Sequence, residues 1–372
     1  MIRGHKIRLY PNNKQETYFQ KACGTARFAY NWALAEWKRR YEAGERVTEG
    51  QLRKGLNSIK RENFPWMLEV TKCAPQLAIK DGLNKAFKNF FAGRAGFPKF
   101  HKKGINDSFS ISNDQLKING SSVKIPNLGW IRLAEGMRYD GKISGATVSR
   151  TADKWYIAIQ VEVPDVSAPV SENQAVGVDL GVRALAVLSD GTEISGTKAG
   201  KQCEKKLRRL NQSLSRKVGA RKGEKKSANF IKTRKRISRL YARIANIRSD
   251  ETHKLTTWLA QNYGVIGIED LDVKGMMNDH RLARSVADMS FYEFRRQLMY
   301  KAETAGARVV VADMWFPSSK TCSVCGEKSD EMPLGTREWT CGHCNSQHNR
   351  DVNAARNLRN YALSHVNYQL TP

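Results

Sequence analysis

The sequence predicts an α+β protein of several domains, in which a small β-barrel interrupted by a helical block precedes an α/β domain with a metal-binding insertion. Three observations support this fold class. The spacing of apolar residues changes along the chain from helical steps to alternation, and then to buried strands separated by helices. Four cysteines near the C-terminus form two C-x2-C pairs. The length of 372 residues is enough for two or three domains.

The N-terminal part of the chain begins with one strand and continues as helices. Alternating apolar residues predict a strand over 1–11, and helical spacing predicts a helix from Lys14 to about Ala43. A second helical region covers about 49–91, with interruptions at two prolines. The helical block is assigned to residues 13–104.

Short strands follow the helical block. Residues 107–163 contain runs rich in Ile, Val, Trp and Tyr, separated by Gly and Asn turns. This spacing is typical of a small barrel or sandwich. We expect the first strand to join this sheet, so that the barrel comprises 1–12 and 105–165 and the helices are an insertion into it.

A linker at 164–169 precedes the α/β domain. Buried apolar strands are predicted at 175–181 and 184–188, and a turn at 189–191 leads to a third strand. Helices separate these strands from two further strands at 265–271 and 307–313. The predicted boundaries are 170–316 and 346–362 for the α/β domain, 317–345 for the inserted cysteine segment and 363–372 for a tail.

The net charge of +27 indicates a polyanionic partner. Self-repulsion of this size destabilises a compact chain unless it is neutralised, and nucleic acid releases condensed counterions when Lys and Arg bind its phosphates. The excess is concentrated at 201–248, which contains 18 Lys or Arg and 2 acidic residues. Leu and Ile at three- and four-residue steps predict a pair of antiparallel amphipathic helices there, called the basic pair, over 201–260.

Candidate nucleic-acid contacts come from this basic pair and from the earlier helix 76–91. They are Arg208, Arg209, Arg234, Lys235, Arg236 and Arg239 in the basic pair, and Lys80, Lys85, Lys88 and Asn89 on the earlier helix. The alternative for each residue is a solvated charged face, and for the whole chain a basic ribosome-associated protein. Phe87, Phe90 and Phe91 are expected in the core.

The composition argues against a membrane or secreted protein. No run of 18 apolar residues is present, and the first residues lack the apolar core of a signal peptide. The seven cysteines are an odd number, which disfavours a disulfide framework, so Cys23, Cys73 and Cys203 are expected to be reduced. We expect a cytoplasmic, nucleoid-associated protein without membrane contact.

The cysteine segment predicts a structural zinc site. Its spacing is C-x2-C-x15-C-x2-C, formed by Cys322, Cys325, Cys341 and Cys344. Four thiolates fill a tetrahedral site and leave no open position for substrate. His343 and His348 are therefore not expected to be ligands. A redox-active dithiol pair is the alternative.

Three acidic residues are candidates for a catalytic metal site. Asp179 and Glu269 each end an apolar strand, and Asp351 precedes a helical segment. Burial disfavours ionised carboxylates unless a cation compensates them, and Mg²⁺ prefers oxygen ligands. Two such ions could activate water and stabilise the leaving oxygen of a phosphodiester. The alternative is that each acid is a loop cap or an ion-pair partner.

The sequence around these residues resembles a known family. The motifs are Gly177-Val178-Asp179-Leu180-Gly181, Gly267-Ile268-Glu269-Asp270-Leu271, Asn349-Arg350-Asp351-Val352-Asn353-Ala354-Ala355-Arg356-Asn357 and Pro317-Ser318-Ser319-Lys320-Thr321-Cys322. Softer matches are Tyr10-Pro11, Arg27-Phe28-Ala29-Tyr30-Asn31, Phe90-Phe91-Ala92-Gly93-Arg94 and Pro98-Lys99-Phe100. The acidic motifs are similar to those of RuvC-type RNase H-fold nucleases, and the whole set resembles the transposon-encoded TnpB proteins, relatives of compact type V CRISPR effectors.

The resemblance implies a wedge-type β-barrel with an inserted helical recognition lobe, followed by an α/β RNase H-like (RuvC) nuclease domain that carries an inserted zinc ribbon. It implies an RNA-guided DNA endonuclease of a transposable element, in which pairing to the guide identifies the target beside a short motif. Asp179, Glu269 and Asp351 would bind Mg²⁺ or Mn²⁺, and the four cysteines one structural Zn²⁺. The implied partners are a guide RNA from the transposon end, with one protein chain per guide, and double-stranded target DNA.

Four alternatives stay open on the sequence. The protein could be a guided binder without cleavage, a transposase that transfers DNA strands, a structural RNA-binding protein, or a compact CRISPR effector. All three acids are present, which favours cleavage. We expect no helix-turn-helix for recognition of transposon ends by protein alone, which disfavours the transposase.

Overall fold

The computed structural model describes residues 1–164, 175–217, 226–329, 332–333 and 335–370. The chain divides into two compact units, Met1–Pro164 and Asp165–Pro372. The predicted linker lies outside the described residues from position 165 onward. In the part of the chain that the structure describes, every helix is too short or too polar to cross a membrane.

The first unit is built on a seven-stranded antiparallel sheet, in the order β2-β6-β7-β1-β5-β4-β3. Its strands are β1 Ile2–Tyr10, β2 Ser108–Ser112, β3 Lys117–Asn119, β4 Ser122–Ile125, β5 Gly129–Leu133, β6 Lys142–Thr151 and β7 Lys154–Glu162. β1 pairs with β7 along most of its length and with β5 at its end. This pairing confirms that the first strand joins the sheet formed later in the sequence.

The sheet is open, whereas the sequence predicts a closed barrel. β2 and β3 are its edges, and no ladder joins them among the described residues. Its core is completed by helix α1, Asn13–Glu42, whose Phe19 ring lies 5.9 Å from the Phe109 ring and 5.0 Å from the Trp155 ring. Alternation along a strand predicts which face is apolar but not whether a strand or a helix covers it.

Helix α1 contributes to two cores. Its first half is buried with the sheet, and its second half, from Ala29 to Leu34, is buried with the helices that follow. Pro75 lies in the first turn of one of them, where its missing N–H is tolerated, so the predicted break falls before Cys73 instead of at the proline. These helices are α2 Glu49–Asn63, α3 Cys73–Leu77 and α4 Asn84–Phe91, with a 3-10 turn Pro65–Glu69 and a π-helical turn Ala78–Leu83.

The second unit contains a mixed five-stranded sheet in the order β10-β9-β8-β11-β12. Its strands are β8 Ala175–Asp179, β9 Ala186–Leu188, β10 Glu193–Ile194, β11 Val265–Glu269 and β12 Arg308–Ala312. β8, β11 and β12 are parallel, and β9 and β10 extend the sheet antiparallel at one edge. Its helices are α5 Ala199–Ser215, α6 Ala228–Asn262, α7 Val273–Asn278, α8 Ala283–Met289, α9 Phe291–Ala305 and α10 Arg350–Leu370. The predicted α/β alternation is confirmed.

Helix α10 lies directly on β8 and β11 because each strand has a glycine at the contact. A Cβ on Gly177 would overlap the carbonyl oxygen of Ala355, and a Cβ on Gly267 would overlap that of Leu358. Glycine inside a strand weakens it and marks a site of close backbone approach. Residues 363–370, which were predicted to form a tail, continue this helix.

The basic pair forms the predicted antiparallel helices. Leu240 and Ile244 of α6 are buried against the apolar side of α5. Just beyond the end of α5, Lys217 Nζ donates to Thr233 Oγ1 near the start of α6 at 2.8 Å. The start of α5 and the middle of α6 meet at Asp288 of α8.

Asp288 is a buried carboxylate that anchors the basic pair. It accepts hydrogen bonds from the backbone N–H groups of Gly200 (2.8 Å) and Lys201 (3.2 Å) in the first turn of α5, and from Arg248 Nε of α6 (3.0 Å). A carboxylate at a helix N-terminus satisfies N–H groups that have no partner within the helix. This cap has no signal in the sequence, because Asp288 is 88 residues away from Gly200 along the chain.

Replacing Asp288 by asparagine should lower the free energy of unfolding by about 2–3 kcal/mol, since a buried charge that serves three donors is lost. Urea denaturation measures the loss. The matched control is Asp250→Asn, because Asp250 is exposed and its ion pair with Lys254 is screened by water, so a change below about 0.5 kcal/mol is expected there. Equal stability of the two variants would contradict the anchoring role.

Candidate active site and metal centre

The three candidate acids come from three elements that meet at one edge of the second sheet. Asp179 ends β8 and Glu269 ends β11, each directly after the paired residues Val178 and Ile268. Neighbouring parallel strands lie about 4.8 Å apart, so these two carboxylates are side by side. Asp351 lies in the first turn of α10, which packs across both strands. All three side chains are partly buried.

The charges of this site repel one another. The pKa of Asp179 is raised well above its ordinary value by burial first, and then by the negative charges of Glu269 and Asp351. Burial also raises the pKa of Glu269, against the opposing effects of a hydrogen bond from Ser318 and the charge of Arg350. The three carboxylates are therefore near enough to interact electrostatically, and a cation placed among them would relieve the repulsion.

Two of the acids have partners that the sequence analysis does not predict. Arg337 Nη1 donates to both carboxylate oxygens of Asp351, at 2.9 and 3.1 Å. The hydroxyl of Ser318 donates a short hydrogen bond to Glu269 Oε1. Arg337 has no recognisable sequence signal because only folding brings it to Asp351. Ser318 lies inside a motif whose spacing gives no indication of a contact with Glu269.

The start of α10 is capped locally. Asn349 Oδ1 accepts hydrogen bonds from the backbone N–H groups of Asp351 and Val352, each at 3.1 Å. Asparagine is a favoured residue at this position of a helix because its side chain satisfies N–H groups of the first turn. The cap orders the backbone that carries Asp351.

The four cysteines of the inserted segment gather into one cluster. Their sulfur atoms all lie within 4.8 Å of one another, with Cys322 and Cys344 3.6 Å apart and Cys325 and Cys341 3.7 Å apart. The strands β13 Glu338–Thr340 and β14 Gln347–Asn349 pair beside them. Four sulfur donors at this spacing fit one tetrahedral zinc ion. Among the described residues, these cysteines are the group of three or more His, Cys, Asp or Glu side chains whose ligand atoms lie close enough to hold a metal ion.

His348 contacts the cysteine cluster without belonging to it. Its Nε2 atom lies 3.1 Å from Cys322 Sγ, and its ring packs 4.7 Å from the ring of Trp339. The hydroxyl of Ser346 lies 3.2 Å from Cys344 Sγ, and hydrogen bonding with Ser346 lowers the pKa of Cys344 to about 6. The contact with Ser346 favours the thiolate form of Cys344, which is the form that binds metal.

Two buried asparagines of α10 hold the segment that leads into the cluster. Asn353 donates to the Thr321 carbonyl at 2.8 Å and accepts from the Ser323 N–H at 2.9 Å, so it bonds the backbone on both sides of Cys322. Asn357 donates to the carbonyls of Ser318 and Thr321, at 2.7 and 2.6 Å. Both asparagines lie in a motif quoted above, but only the fold assigns them these partners.

The candidate nucleic-acid contacts lie at exposed positions in nearly every case. Lys80, Lys85 and Lys88 are exposed and Asn89 is half-buried, and the six basic-pair candidates are all exposed. Of the aromatic residues on α4, Phe87 is buried as predicted, but Phe91 is 72% exposed, which corrects its assignment to the core. The helix ends at Phe91, where no further turn covers the ring.

The softer motif that runs from Arg27 to Asn31 contacts the segment that directly follows the motif Pro98-Lys99-Phe100. The side-chain amide of Asn31 donates to the His101 carbonyl at 3.0 Å and accepts from the His101 N–H at 2.8 Å. The Tyr30 ring stacks on the His101 ring at 3.8 Å. Arg27 lies 3.5 Å from Asp107. These contacts tie helix α1 to the irregular segment before β2 and indicate a structural role.

Comparison with known proteins identifies relatives along the whole chain. Family models match residues 158–279 (described as "Probable transposase"), 291–358 (Cas12f1-like, TNB domain) and 1–46 (helix-turn-helix domain). The last model is described as a helix-turn-helix domain, whereas residues 1–46 fold here as β1 and the single helix α1.

Two relatives that align with almost the whole chain have names that state an activity. A protein of Escherichia coli (strain K12) named "Putative RNA-guided DNA endonuclease InsQ" is 36% identical over 376 residues, which cover 96% of this chain and 91% of that protein. A "Putative RNA-guided DNA endonuclease" of Streptomyces pristinaespiralis is also 36% identical, covering 96% and 88%.

A solved structure shares the fold. The protein in a Cas12f1-sgRNA-target DNA complex aligns with a TM-score of 0.61 at 14% identity, covering 96% of this chain and 98% of that one. This likeness supports the α+β fold class. Given 36% identity over nearly its whole length, the chain belongs to the TnpB family of RNA-guided DNA endonucleases.

Proposed function

We propose that the protein is an RNA-guided DNA endonuclease of a transposable element. Its active site, formed by Asp179, Glu269 and Asp351, hydrolyses the phosphodiesters of DNA. The observation that carries this proposal is the convergence of three carboxylates from two strand ends and one helix start, where their charges repel one another. A strongly basic chain with such a cluster suits a polyanionic substrate and a divalent cation. The names of the full-length relatives support the same activity.

The carboxylate oxygens fit Mg²⁺ or Mn²⁺. Such ions, when bound, supply an activated water and stabilise the leaving oxygen of the phosphodiester. The protein holds Asp179 and Glu269 on adjacent strands and Asp351 on a capped helix, so the three ligands have fixed positions. Arg337 neutralises Asp351 when no metal is bound. Once a metal ion takes over that neutralisation, the Arg337 guanidinium is available to contact phosphate.

The finer architecture follows the same proposal. We assign the second unit to an RNase H-like nuclease domain over 170–316 and 346–362, and residues 317–345 to a zinc ribbon with Cys322, Cys325, Cys341 and Cys344 as ligands. The first unit would comprise the wedge and recognition regions. The mixed sheet, the acids at its strand ends and the closed cysteine cluster support these assignments.

The proposed partners are a guide RNA from the transposon end and double-stranded target DNA, with one protein chain per guide. The exposed basic faces of α5 and α6 and of α4 are suited to phosphate backbones, because each neutralised phosphate releases counterions. Their affinity should therefore fall steeply with salt.

A reconstituted cleavage assay tests the function. The protein is purified with RNA transcribed from the flanks of its gene and incubated in Mg²⁺ with plasmids that match or do not match the guide. Cleavage that requires the RNA, the match and Asp179 is the expected result. Cleavage without RNA would indicate a nuclease that needs no guide. Binding that depends on the guide but does not cut the DNA would indicate a guided binder. Joining of DNA ends would indicate a strand-transfer enzyme.

A further inference from the structure

A chain of hydrogen bonds made by the buried side chains of Ser318, Asn353 and Asn357 joins the cysteine cluster to the candidate catalytic carboxylate Glu269. It begins at Cys322, whose neighbouring backbone groups are both bonded to the side chain of Asn353. It continues through Asn357, which shares the Thr321 carbonyl with Asn353 and also holds the Ser318 carbonyl. It ends at the Ser318 hydroxyl, which donates to Glu269.

We propose that Ser318 is a positioning residue for Glu269, and that metal occupancy of the cysteine cluster is communicated to Glu269 through Asn353, Asn357 and Ser318. The inference rests on the proposed function, since it assumes a divalent cation at the three acids. Its consequence is that zinc at the cluster increases the affinity of the carboxylate site for a divalent cation.

Burial makes this connection stiff. Cys322 and Asn353 are each 1% exposed, Ser318 is 5% exposed and Asn357 is 6% exposed. Buried polar groups that lose a partner have no water to replace it, so these hydrogen bonds tend to form together or fail together. The backbone from Ser318 to Ser323 is therefore held to α10 at four points.

The position of the Ser318 hydroxyl beside Glu269 depends on how Cys322 is held at the other end of this connection. Zinc binding fixes Cys322, and with it the backbone groups that Asn353 bonds. Ser318, four residues earlier, then presents its hydroxyl to Glu269 and leaves the other carboxylate oxygen free for a metal. Hydrogen bonds that orient metal ligands typically change metal affinity by about 10- to 100-fold when they are removed.

Binding of Mn²⁺ to the RNA-free full-length chain tests the inference, because RNA itself binds Mn²⁺. Free Mn²⁺ is counted by electron paramagnetic resonance for the zinc-loaded protein and for protein stripped of zinc by a chelator that is then removed. Zinc removal should weaken Mn²⁺ binding by about tenfold. In Ser318→Ala, binding should be weaker from the start, and removing zinc should cause no further loss.

The matched control is Ser319→Ala, at the neighbouring serine. The Ser319 side chain makes no hydrogen bond to a described residue, so this variant should bind Mn²⁺ as the wild type does. Unchanged Mn²⁺ affinity on zinc removal would overturn the communication, as would a Ser318→Ala protein that still responds to zinc. Identical binding by the two serine variants would overturn the role of Ser318. If Asp179→Ala binds Mn²⁺ as well as the wild type, the proposed catalytic site fails instead.

Discussion

Replacing Asp179 by asparagine should abolish DNA cleavage and at the same time stabilise the metal-free protein. Asparagine keeps the size of the side chain but removes one charged metal ligand. Loss of several kcal/mol of transition-state stabilisation corresponds to a decrease in cleavage rate on the order of 10³-fold or more. Guide-dependent cleavage of a matched plasmid in Mg²⁺ measures this loss.

The gain in stability follows from the raised pKa of Asp179. A carboxyl group whose pKa is raised by folding keeps a proton that the unfolded chain releases, so the unfolded state is favoured as pH rises from the ordinary carboxyl range towards the raised pKa. The metal-free wild type should therefore lose stability through that window. Asp179→Asn has no charge to bury there, and should be more stable at neutral pH by about 1–2 kcal/mol.

Thermal unfolding in a chelator, over a series of pH values, checks this second effect. Adding Mg²⁺ should raise the Tm of the wild type more than that of the variant, because a ligand stabilises only the state that binds it. Asp140→Asn, which removes an exposed carboxylate from the first unit, is the control and should change neither cleavage nor the pH dependence. A metal-free Asp179→Asn protein that is less stable than the wild type would contradict the electrostatic account.

Replacing Gly177 by alanine should destabilise the second unit and reduce cleavage. The added methyl group would overlap the Ala355 carbonyl oxygen and lie 2.5 Å from the Arg359 backbone nitrogen. Both atoms belong to the backbone of α10, so the helix itself has to move. We expect a loss of about 3 kcal/mol in the free energy of unfolding.

The effect on cleavage comes from Asp351 at the start of the same helix. A displacement of about 1 Å in a catalytic group can reduce the rate by about 10²-fold. Urea denaturation and the cleavage assay measure the two effects on one variant. Gly96→Ala is the matched control, since no atom of a described residue, its chain neighbours apart, lies within 4 Å of the position that its Cβ would take. Wild-type stability and activity of Gly177→Ala would show that α10 does not require the close approach.

Much of the candidate site could be predicted from the sequence because its signals are local. The cysteine spacing predicts a four-sulfur cluster, and the structure brings the four sulfur atoms within 4.8 Å. Asp179 and Glu269 end apolar runs, and their strands prove to be adjacent and parallel. The first strand is correctly paired with the later sheet because its alternating pattern needs a partner that the intervening helices cannot supply.

Other features could not be predicted from the sequence, because they depend on which elements pack together. The open sheet completed by α1 satisfies the same alternation as a barrel would. Asp288 caps a helix whose own residues give no sign of it. The extension of α10 to Leu370 replaces the predicted tail.

The sequence by itself determined the net charge that predicts a polyanionic partner. It also determined the residue types and the spacing that mark three acids and four cysteines as candidate metal ligands, since these are properties of the chain alone. Only the tertiary structure decided how these parts are connected. Arg337 meets Asp351, Ser318 meets Glu269, and Asn353 and Asn357 hold the entry to the cysteine cluster. The physical reason is that such hydrogen bonds are short-ranged in space but not in sequence, so they exist only once α10 lies on its glycine-bearing strands.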